Sequence, residues 1–322
     1  LVSYAFKILD LDQFINFLIG AYYLRLLIIM GYSFFVYTPN FHFKLPKSMM
    51  PLLRYSGLIF LSGTAASFIL DIDKSMIYSL TSDANVAFYA VAIYIAAVIE
   101  APGRAMFQIT SPLVAEALNS KNKVRLESLL KKSSINLMIV SGLLFLIINL
   151  NLEDFYNIIN QQGYESAIGV VVIVSLGKLF TMSMGCLNNI ISNSKHYSYV
   201  FWFSISSAIL AVFLNYIFIK EYGILGAAFA TLIVIIFINS CKILLVNYLF
   251  KIHPYSSKTL SVLLVISLIY ILIYSLPSIF NPWLSIPLRS FLIIGLFCIP
   301  LFKFSLSKEI ETLFEKLIKR LF

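Results

Sequence analysis

The sequence predicts an all-α, polytopic membrane protein with about nine transmembrane helices. Of its 322 residues, 60% are hydrophobic and only 12% are charged, and the mean hydropathy is +0.90. A soluble domain carries roughly 25% charged residues, so this chain has too little polar surface to enclose a water-soluble core. The apolar surplus must therefore face lipid, and its long runs lack the alternation that is typical of a membrane β-barrel.

Nine apolar stretches are each long enough, at about 20 residues, for a helix to cross a hydrocarbon core roughly 30 Å thick. They are residues 13–37, 52–71, 84–108, 133–151, 166–190, 199–219, 223–249, 259–277 and 284–303. Residues 220–222 alone link the sixth and seventh stretches, which predicts a tight turn between two antiparallel helices. After the third stretch, Pro112 and the apolar run to Leu118 predict a kinked continuation of that helix along the membrane surface.

The distribution of charge predicts the orientation. A net charge of +9 would suggest a nucleic-acid partner for a soluble protein, but in a membrane protein Lys and Arg collect in cytoplasmic loops. If residues 38–54 are cytoplasmic and the sides alternate, most of the 24 Lys and Arg residues fall in cytoplasmic segments. The exceptions are Lys7, Lys74 and Lys220 on the opposite side, and Arg25, Lys178 and Arg289 inside the spans. This asymmetry predicts a first span that enters from outside, a cytoplasmic C-terminus and no nucleic-acid partner.

The common catalytic and metal-binding patterns are missing from the sequence. His42, His196 and His253 lie in predicted cytoplasmic loops, with no carboxylate or cysteine at ligand spacing. There is no phosphate-binding glycine loop and no hydrolase or zinc-protease motif. The three cysteines lie inside apolar runs, as expected of buried inert thiols. We therefore expect no enzymatic activity, no cofactor and no metal site, and transport is favoured over catalysis.

Two cations at mid-span are candidates for substrate binding. Arg25 lies near the middle of 13–37 and Lys178 near the middle of 166–190. Such a residue costs about 2.5–3.5 kcal/mol at a helix centre, so it must face a partner or a wet cavity. Neither has an acidic residue three or four positions away on its own helix. This favours a role in a cavity, with snorkelling or an interhelical ion pair as the alternatives.

Polar residues in two other spans are further candidates for the same cavity. Glu100 and Arg104 lie four residues apart on one helix face, so they either pair with each other or line the binding space. Asn188 and Asn189 either line that space or form hydrogen bonds between helices. The predicted substrate-binding set is therefore Arg25, Lys178, Arg104, Glu100 and Asn188.

Residues 305–322 predict an amphipathic helix at the inner membrane surface. The apolar residues that share one face are Ile310, Leu313, Phe314, Leu317, Ile318 and Leu321, and the basic residues off that face are Lys308, Lys316, Lys319 and Arg320. Acidic residues near the start and basic residues near the end also suit the helix dipole. An interfacial helix is favoured, with a partner-binding helix as the alternative.

Residues 67–118 resemble the seventh and eighth helices of Wzx-type polysaccharide flippases. The elements that carry the resemblance are Asp73 with Ile77, Tyr89 with Ala92, and Pro112 before an amphipathic stretch. The run YGILGAAFAT at 222–231 also resembles the opening of that family's twelfth helix. These patterns are shared across the multidrug/oligosaccharidyl-lipid/polysaccharide (MOP) exporter superfamily.

The resemblance implies a MATE-like fold of two six-helix lobes, with most of the first lobe missing. On this basis residues 1–54 form the last helix of the first lobe and a cytoplasmic linker, and residues 55–250 form the second lobe. Residues 251–304 form two additional helices, and residues 305–322 form the interfacial helix. About five helices are then expected upstream of Leu1, where the chain has no initiator Met.

The same resemblance implies a flippase of the bacterial inner membrane. Such proteins move an undecaprenyl-pyrophosphate-linked glycan through the lipid bilayer by alternating access, and a coupling ion, H⁺ or Na⁺, is a further expected partner. Arg25 and Lys178 would suit the pyrophosphate. The alternatives are a MATE-like drug/cation antiporter or a lipid II flippase on the same fold. A membrane glycosyltransferase or polymerase is less favoured because it needs a long outer loop.

Overall fold

The computed structural model describes residues 11–37, 49–159, 163, 167–276, 281–307 and 309–312. By its contacts the chain divides into two compact units, Leu1–Leu52 and Leu53–Phe322. The predicted boundaries after residues 54, 250 and 304 stay predictions.

Eleven α-helices, numbered in chain order, make up the regular structure of the described residues. They are α1 (Leu11–Val36), α2 (Met49–Leu80), α3 (Asp83–Ala97), α4 (Ala101–Asn119), α5 (Lys123–Leu150), α6 (Leu152–Ile159), α7 (Ile168–Ser183), α8 (Leu187–Asn193), α9 (Ser198–Phe250), α10 (Ser257–Tyr274) and α11 (Pro282–Lys303). A short 3₁₀ turn, Val98–Glu100, joins α3 to α4. None of the described residues forms a strand, so the predicted all-α class is confirmed.

The described helices include six that are long and apolar enough to cross a membrane. A seventh span arises if the bent pair α7 and α8 is taken as one. This count takes α3 with α4, and the whole of α9, as single helices. Of the nine predicted spans, 52–71 lies within α2, and 199–219 and 223–249 both lie within α9. Each of the other six coincides largely with one of the helices or helix pairs counted here. The protein is therefore a multi-pass helical membrane protein.

In the first unit, α1 is apolar around its circumference, and nearly all of its described side chains are exposed. Its 26 residues extend about 39 Å at 1.5 Å per residue, enough to cross a bilayer. A helix of this kind needs lipid or neighbouring helices around it. Arg25 is one of its exposed residues.

Helix α9 folds back on itself. Its 53 residues would extend about 80 Å as one rod, far more than a bilayer core. The backbone leaves helical geometry at Gly223, where φ is 57° and ψ is −133°. Ala211 of the first arm (residues 198–222) packs with Val234 and Ile238 of the second arm (residues 224–250). The predicted antiparallel pair is confirmed, with its turn one residue after 220–222.

We expect Gly226→Ala to destabilise the protein more than Gly295→Ala. A Cβ at Gly226 would collide with the backbone carbonyl of Phe218, where the two arms meet. A Cβ at Gly295 would meet nothing within 4 Å, and Ala is the better helix former by about 1 kcal/mol. Thermal unfolding of the purified variants measures the difference. Equal stabilities would mean that the arms do not approach closely at this turn.

The third predicted span continues beyond Pro112, which lies inside α4, and the kink expected at Pro112 stays a prediction. The irregular turn of this span is Val98–Glu100. Pro102 follows it in the first turn of α4. Because proline has no N–H, Pro102 cannot donate to the carbonyl of Val98.

The fifth predicted span is broken rather than continuous. Helices α7 and α8 meet at an angle of 58°, and Gly185 between them has a φ of +60°. Ser133 of α5 accepts the N–H of Cys186 at 2.9 Å, which satisfies a backbone donor that the break releases. The bend is thus stabilised by a neighbouring helix, which the hydropathy of residues 166–190 could not indicate.

Two apolar clusters mark opposite ends of the second unit. We call one end the acidic end because Asp73, Asp83 and Asp154 lie near it. The apolar cluster at this end includes Ile77, Tyr89, Leu152 and Ala167. The cluster at the basic end, which is rich in Lys and Arg, includes Ala117, Leu126, Leu187 and Ile252. The two ends are separate because successive predicted spans run in opposite directions, so that alternate loops lie at the same end. The basic end is the one that the charge rule predicts to be cytoplasmic.

The predicted interfacial helix lies mostly outside the described residues. Within 309–312, which are helical, the carboxylate of Glu309 lies 2.8 Å from the ammonium group of Lys132 on α5. Ser307 donates to the side-chain oxygen of Asn136 at 2.6 Å. These contacts hold the segment after α11 against the basic end.

Candidate functional site

A buried carboxylate near the acidic end collects hydrogen-bond donors from three other segments. Asp73 of α2 is only 5% exposed. Its Oδ2 accepts the hydroxyl of Tyr89 at 2.9 Å and that of Thr231 at 2.8 Å. Its Oδ1 accepts the amide N–H of Asn215. We call these four residues the Asp73 cluster.

The α9 hairpin is what brings two of these donors to one carboxylate. Asn215 lies before the turn at Gly223 and Thr231 lies the same distance after it, so antiparallel packing places them at one level. The close approach of the arms depends on the small residues 226–228. Helix α3 adds Tyr89, which is 1% exposed. The cluster therefore ties α2, α3 and both arms of α9 together.

One polar atom of the Asp73 cluster is left without a partner. Asn215 is fully buried, its N–H group is bound to Asp73, and its Oδ1 makes no hydrogen bond. A buried unpaired acceptor costs about 1–3 kcal/mol, and here it lies beside a buried carboxylate. A proton or a small cation bound at this point would offset both costs.

The chemistry of the cluster suits a hard monovalent cation. Its oxygens come from one carboxylate, one amide and two hydroxyl groups, and oxygen ligands favour hard cations over transition metals. The single carboxylate balances a single positive charge. No group of three or more His, Cys, Asp or Glu side chains that could hold a metal ion occurs among the described residues. H⁺ and Na⁺ both fit these requirements.

The mid-span cation Lys178 has an acidic partner on another element. Its ammonium nitrogen lies 3.0 Å from Oε2 of Glu100, and the two side chains are 14% and 26% exposed. The interhelical ion pair, one of the alternatives that the sequence left open for Lys178, is therefore present, and the role of Lys178 in a substrate cavity stays a prediction. A pair that is partly exposed on both sides remains accessible to a competing ligand.

Glu100 pairs with Lys178 rather than with Arg104. The predicted pairing assumed one continuous α-helix, in which residues four apart share a face. Glu100 instead ends the 3₁₀ turn before α4, which changes its direction relative to Arg104. Arg104 is exposed on α4, and neither an ion pair nor a hydrogen bond joins it to Glu100 in this part of the structure.

The remaining predicted site residues are exposed. Asn188 is exposed on α8. Its neighbour Asn189 donates to the carbonyl of Phe107 at 3.0 Å and to the hydroxyl of Thr110 at 3.1 Å, which ties α8 to α4 as the hydrogen-bonding alternative predicted. Arg25 belongs to the first unit, and its role in binding stays a prediction.

A second charge pair ties α6 to α11 at the acidic end. Arg289 lies 3.2 Å from Oδ2 of Asp154 and donates to the carbonyl of Leu150 at 2.7 Å. Ser285 donates to the same carboxylate oxygen at 2.6 Å. Arg289 is thus neutralised within the fold, and we read this pair as structural.

The sequence offered a partial signal for the Asp73 cluster. Asp73 and Tyr89 both belong to the pattern that resembles flippases, and Thr231 ends the second resembling run. Their shared site was not predicted, because no pattern in the sequence indicates which helix faces pack together. Asn215 had no signal at all, since a single Asn in an apolar span is as often structural as functional.

Comparison with known proteins yields one distant structural similarity. No protein-family model matches the sequence, and no curated protein matches it significantly. The structure is similar to that of a MOP superfamily transporter from Pyrococcus furiosus, with a TM-score of 0.48 and 18% sequence identity. The alignment covers 68% of this chain and 51% of that one, so this chain spans about half the length of that transporter. At this distance the similarity assigns neither a family nor a substrate.

Proposed function

We propose that this protein is an ion-coupled flippase, which moves an undecaprenyl-pyrophosphate-linked oligosaccharide across the bacterial inner membrane by alternating access. The observation that carries the ion coupling is the Asp73 cluster with its unpaired amide oxygen on Asn215. The glycan substrate is supported by the resemblance of residues 67–118 and 222–231 to Wzx-type flippases.

The Asp73 cluster can couple cation binding to the packing of the helices, because its members lie on α2, α3 and α9. In this proposal the packing of these helices changes during alternating access. With the carboxylate charged, three donors from α3 and the two arms of α9 hold it. A bound cation competes for the same oxygens and removes the net charge. The hydrogen bonds between α2 and the α9 hairpin then weaken, which favours a different packing of these helices.

The Lys178–Glu100 pair is the proposed contact for the anionic headgroup. A pyrophosphate that approached Lys178 would replace Glu100 as its counter-charge, so no unpaired cation is exposed before the substrate binds. Exchange of one anion for another keeps Lys178 paired in the membrane. The displaced carboxylate of Glu100 must then be solvated by water, which its 26% exposed side chain can reach. Arg25 is a further candidate contact in this proposal.

A drug/cation antiporter on the same fold is the second candidate. The Asp73 cluster favours it to the same degree, since a buried carboxylate can bind H⁺ or Na⁺ in either type of transporter. The two candidates differ in the transported molecule. An antiporter would move an organic cation out in exchange for the coupling ion, whereas a flippase would move an anionic glycolipid.

Reconstitution of the purified full-length protein into liposomes tests this proposal. We expect a fluorescent undecaprenyl-pyrophosphate-linked oligosaccharide to change leaflets faster when a Na⁺ or H⁺ gradient is imposed than when none is present. Liposomes without protein provide the control. Gradient-driven movement of tetraphenylphosphonium, with no movement of the glycolipid, would replace the flippase by the antiporter.

A further inference from the structure

Lys242 is a cation inside the α9 hairpin that the proposed mechanism does not use. It is the single charged residue of the second arm, residues 224–250. It lies eight residues before the end of α9 at Phe250, which places it about 12 Å inside the basic end at 1.5 Å per residue. The charge count grouped Lys242 with the cytoplasmic residues, whereas the structure places it within a membrane-spanning helix. A charge at such a position is costly and is typically functional.

The side chain of Lys242 faces the interior of the second unit rather than lipid. Ile235, Asn239 and Lys242 recur at helical spacing on one face of the second arm. Ile235 lies against Gly177 of α7, and the amide of Asn239 donates to the hydroxyl of Thr181 on α7 at 3.1 Å. The side chain of Lys242 is only partly buried, so a ligand can reach it.

The ammonium group of Lys242 stays inside the helix bundle. It lies 6.0 Å from the centre of the Phe203 ring on the first arm, and the two residues are at nearly equal distances from the turn at Gly223. Because side chains tilt towards the N-terminus of a helix, Lys242 leaves the backbone in the direction away from the basic end. Snorkelling to the membrane surface would reverse that direction. The charge must therefore be balanced within the span.

No acidic residue that the structure describes balances the charge of Lys242. Among the described residues it makes no ion pair and no hydrogen bond, and its contact with Phe203 is at the outer limit of a cation–π interaction. Three carboxylates at the basic end are already paired with other cations, namely Glu116, Glu127 and Glu309. The counter-charge that Lys242 lacks can therefore come from a bound anion.

Lys242 lies on the way from the basic end to Lys178. The hydrogen bond between Asn239 and Thr181 fixes the level at which the second arm of α9 meets α7. Lys242 lies one turn from Asn239 towards the basic end, and Lys178 lies one turn from Thr181 towards the acidic end. The two cations are thus about 9 Å apart along the helix axes, at 1.5 Å per residue. A headgroup that enters from the basic end meets Lys242 first.

We propose that Lys242 is a second phosphate-binding residue, which receives the pyrophosphate of the lipid-linked substrate before Lys178 does. The ammonium group donates a charge-assisted hydrogen bond to a phosphate oxygen. Because no described carboxylate has to be displaced from Lys242, the headgroup binds here without the exchange that Lys178 requires. The charge rule makes this the cytoplasmic end. This inference rests on the proposed flippase function and adds the site at which the headgroup enters the second unit.

Binding of undecaprenyl pyrophosphate to the full-length protein in lipid nanodiscs, with no ion gradient, tests this inference. We expect Lys242→Met to weaken binding about tenfold or more, whereas Lys242→Arg keeps the charge and should bind like the wild type. Undecaprenol has the same chain without a phosphate, and all three proteins should bind it equally. Lys195→Met is the matched control, because Lys195 is an exposed cation at the same end. Lys242→Met should not unfold at a lower temperature than the wild type, since it removes an unbalanced charge.

The outcomes separate this inference from the proposed function. Equal affinity of the wild type and Lys242→Met for undecaprenyl pyrophosphate would overturn the site at Lys242, even if the glycolipid is still transported. If Lys242→Met loses affinity for phosphatidylglycerol and keeps it for undecaprenyl pyrophosphate, Lys242 serves a membrane phospholipid and the entry site is wrong. A wild type that binds undecaprenol as tightly as undecaprenyl pyrophosphate would count against the flippase function as well.

Discussion

Asp73→Asn is expected to abolish ion-driven transport while the protein still folds and inserts. Asn has nearly the shape of Asp but neither binds a proton nor balances a cation, so the Asp73 cluster loses its ability to couple. Removal of a buried charge also lowers the cost of burial, which limits any loss of stability. Gradient-driven transport in liposomes should therefore fall to the level of protein-free liposomes.

A second measurement on the same variant reports on cation binding directly. A ligand that binds only the folded state at 100 times its Kd stabilises it by about 2.7 kcal/mol. We expect wild-type protein to unfold at a higher temperature in NaCl than in choline chloride, or to respond to pH if the coupling ion is H⁺. Asp73→Asn should show neither response.

The matched control is Asp71→Asn, two residues away on the same helix. Asp71 is an exposed carboxylate that pairs with Lys74 at 3.2 Å, and a surface pair of this kind contributes 0–1 kcal/mol. Its loss should leave transport and cation response unchanged. If Asp73→Asn transports as well as Asp71→Asn, the cluster is structural and the coupling mechanism is wrong.

Exchange of the charges at Lys178 and Glu100 should separate a structural role from a binding role. Loss of one partner from a buried pair costs roughly 3–5 kcal/mol, and less here because the side chain of Glu100 is 26% exposed. We therefore expect Lys178→Ala and Glu100→Ala each to lower stability. The double variant Lys178→Glu with Glu100→Lys should restore stability, since the pair is re-formed with opposite polarity.

Transport by the exchanged variant is the decisive readout. If Lys178 contacts an anionic headgroup, the double variant remains inactive, because the cation now lies on the 3₁₀ turn rather than on α7. Lys178→Arg is the control that keeps the charge in place and should retain much of the activity. Full activity of the exchanged variant would show that the pair only stabilises the fold.

The sequence predicted most of the architecture because lipid exposure leaves a local signal. An apolar run of about 20 residues crosses a bilayer whatever its neighbours are, and the helices follow those runs. The three-residue link at 220–222 was sufficient to predict the α9 hairpin, since no longer connection exists between its arms. The separation of acidic and basic residues along the chain likewise appears as two ends of the second unit.

Only the tertiary structure decided which polar groups meet. Lys178 and Glu100 are 78 residues apart, and Asp73 and Thr231 are 158 apart, so their pairing depends on which helix faces pack together. The break between α7 and α8 also depends on packing, because Ser133 of another helix supplies its acceptor. Insertion into lipid is close to a sum over single segments, whereas a buried polar contact exists only when distant segments place both partners within about 3 Å.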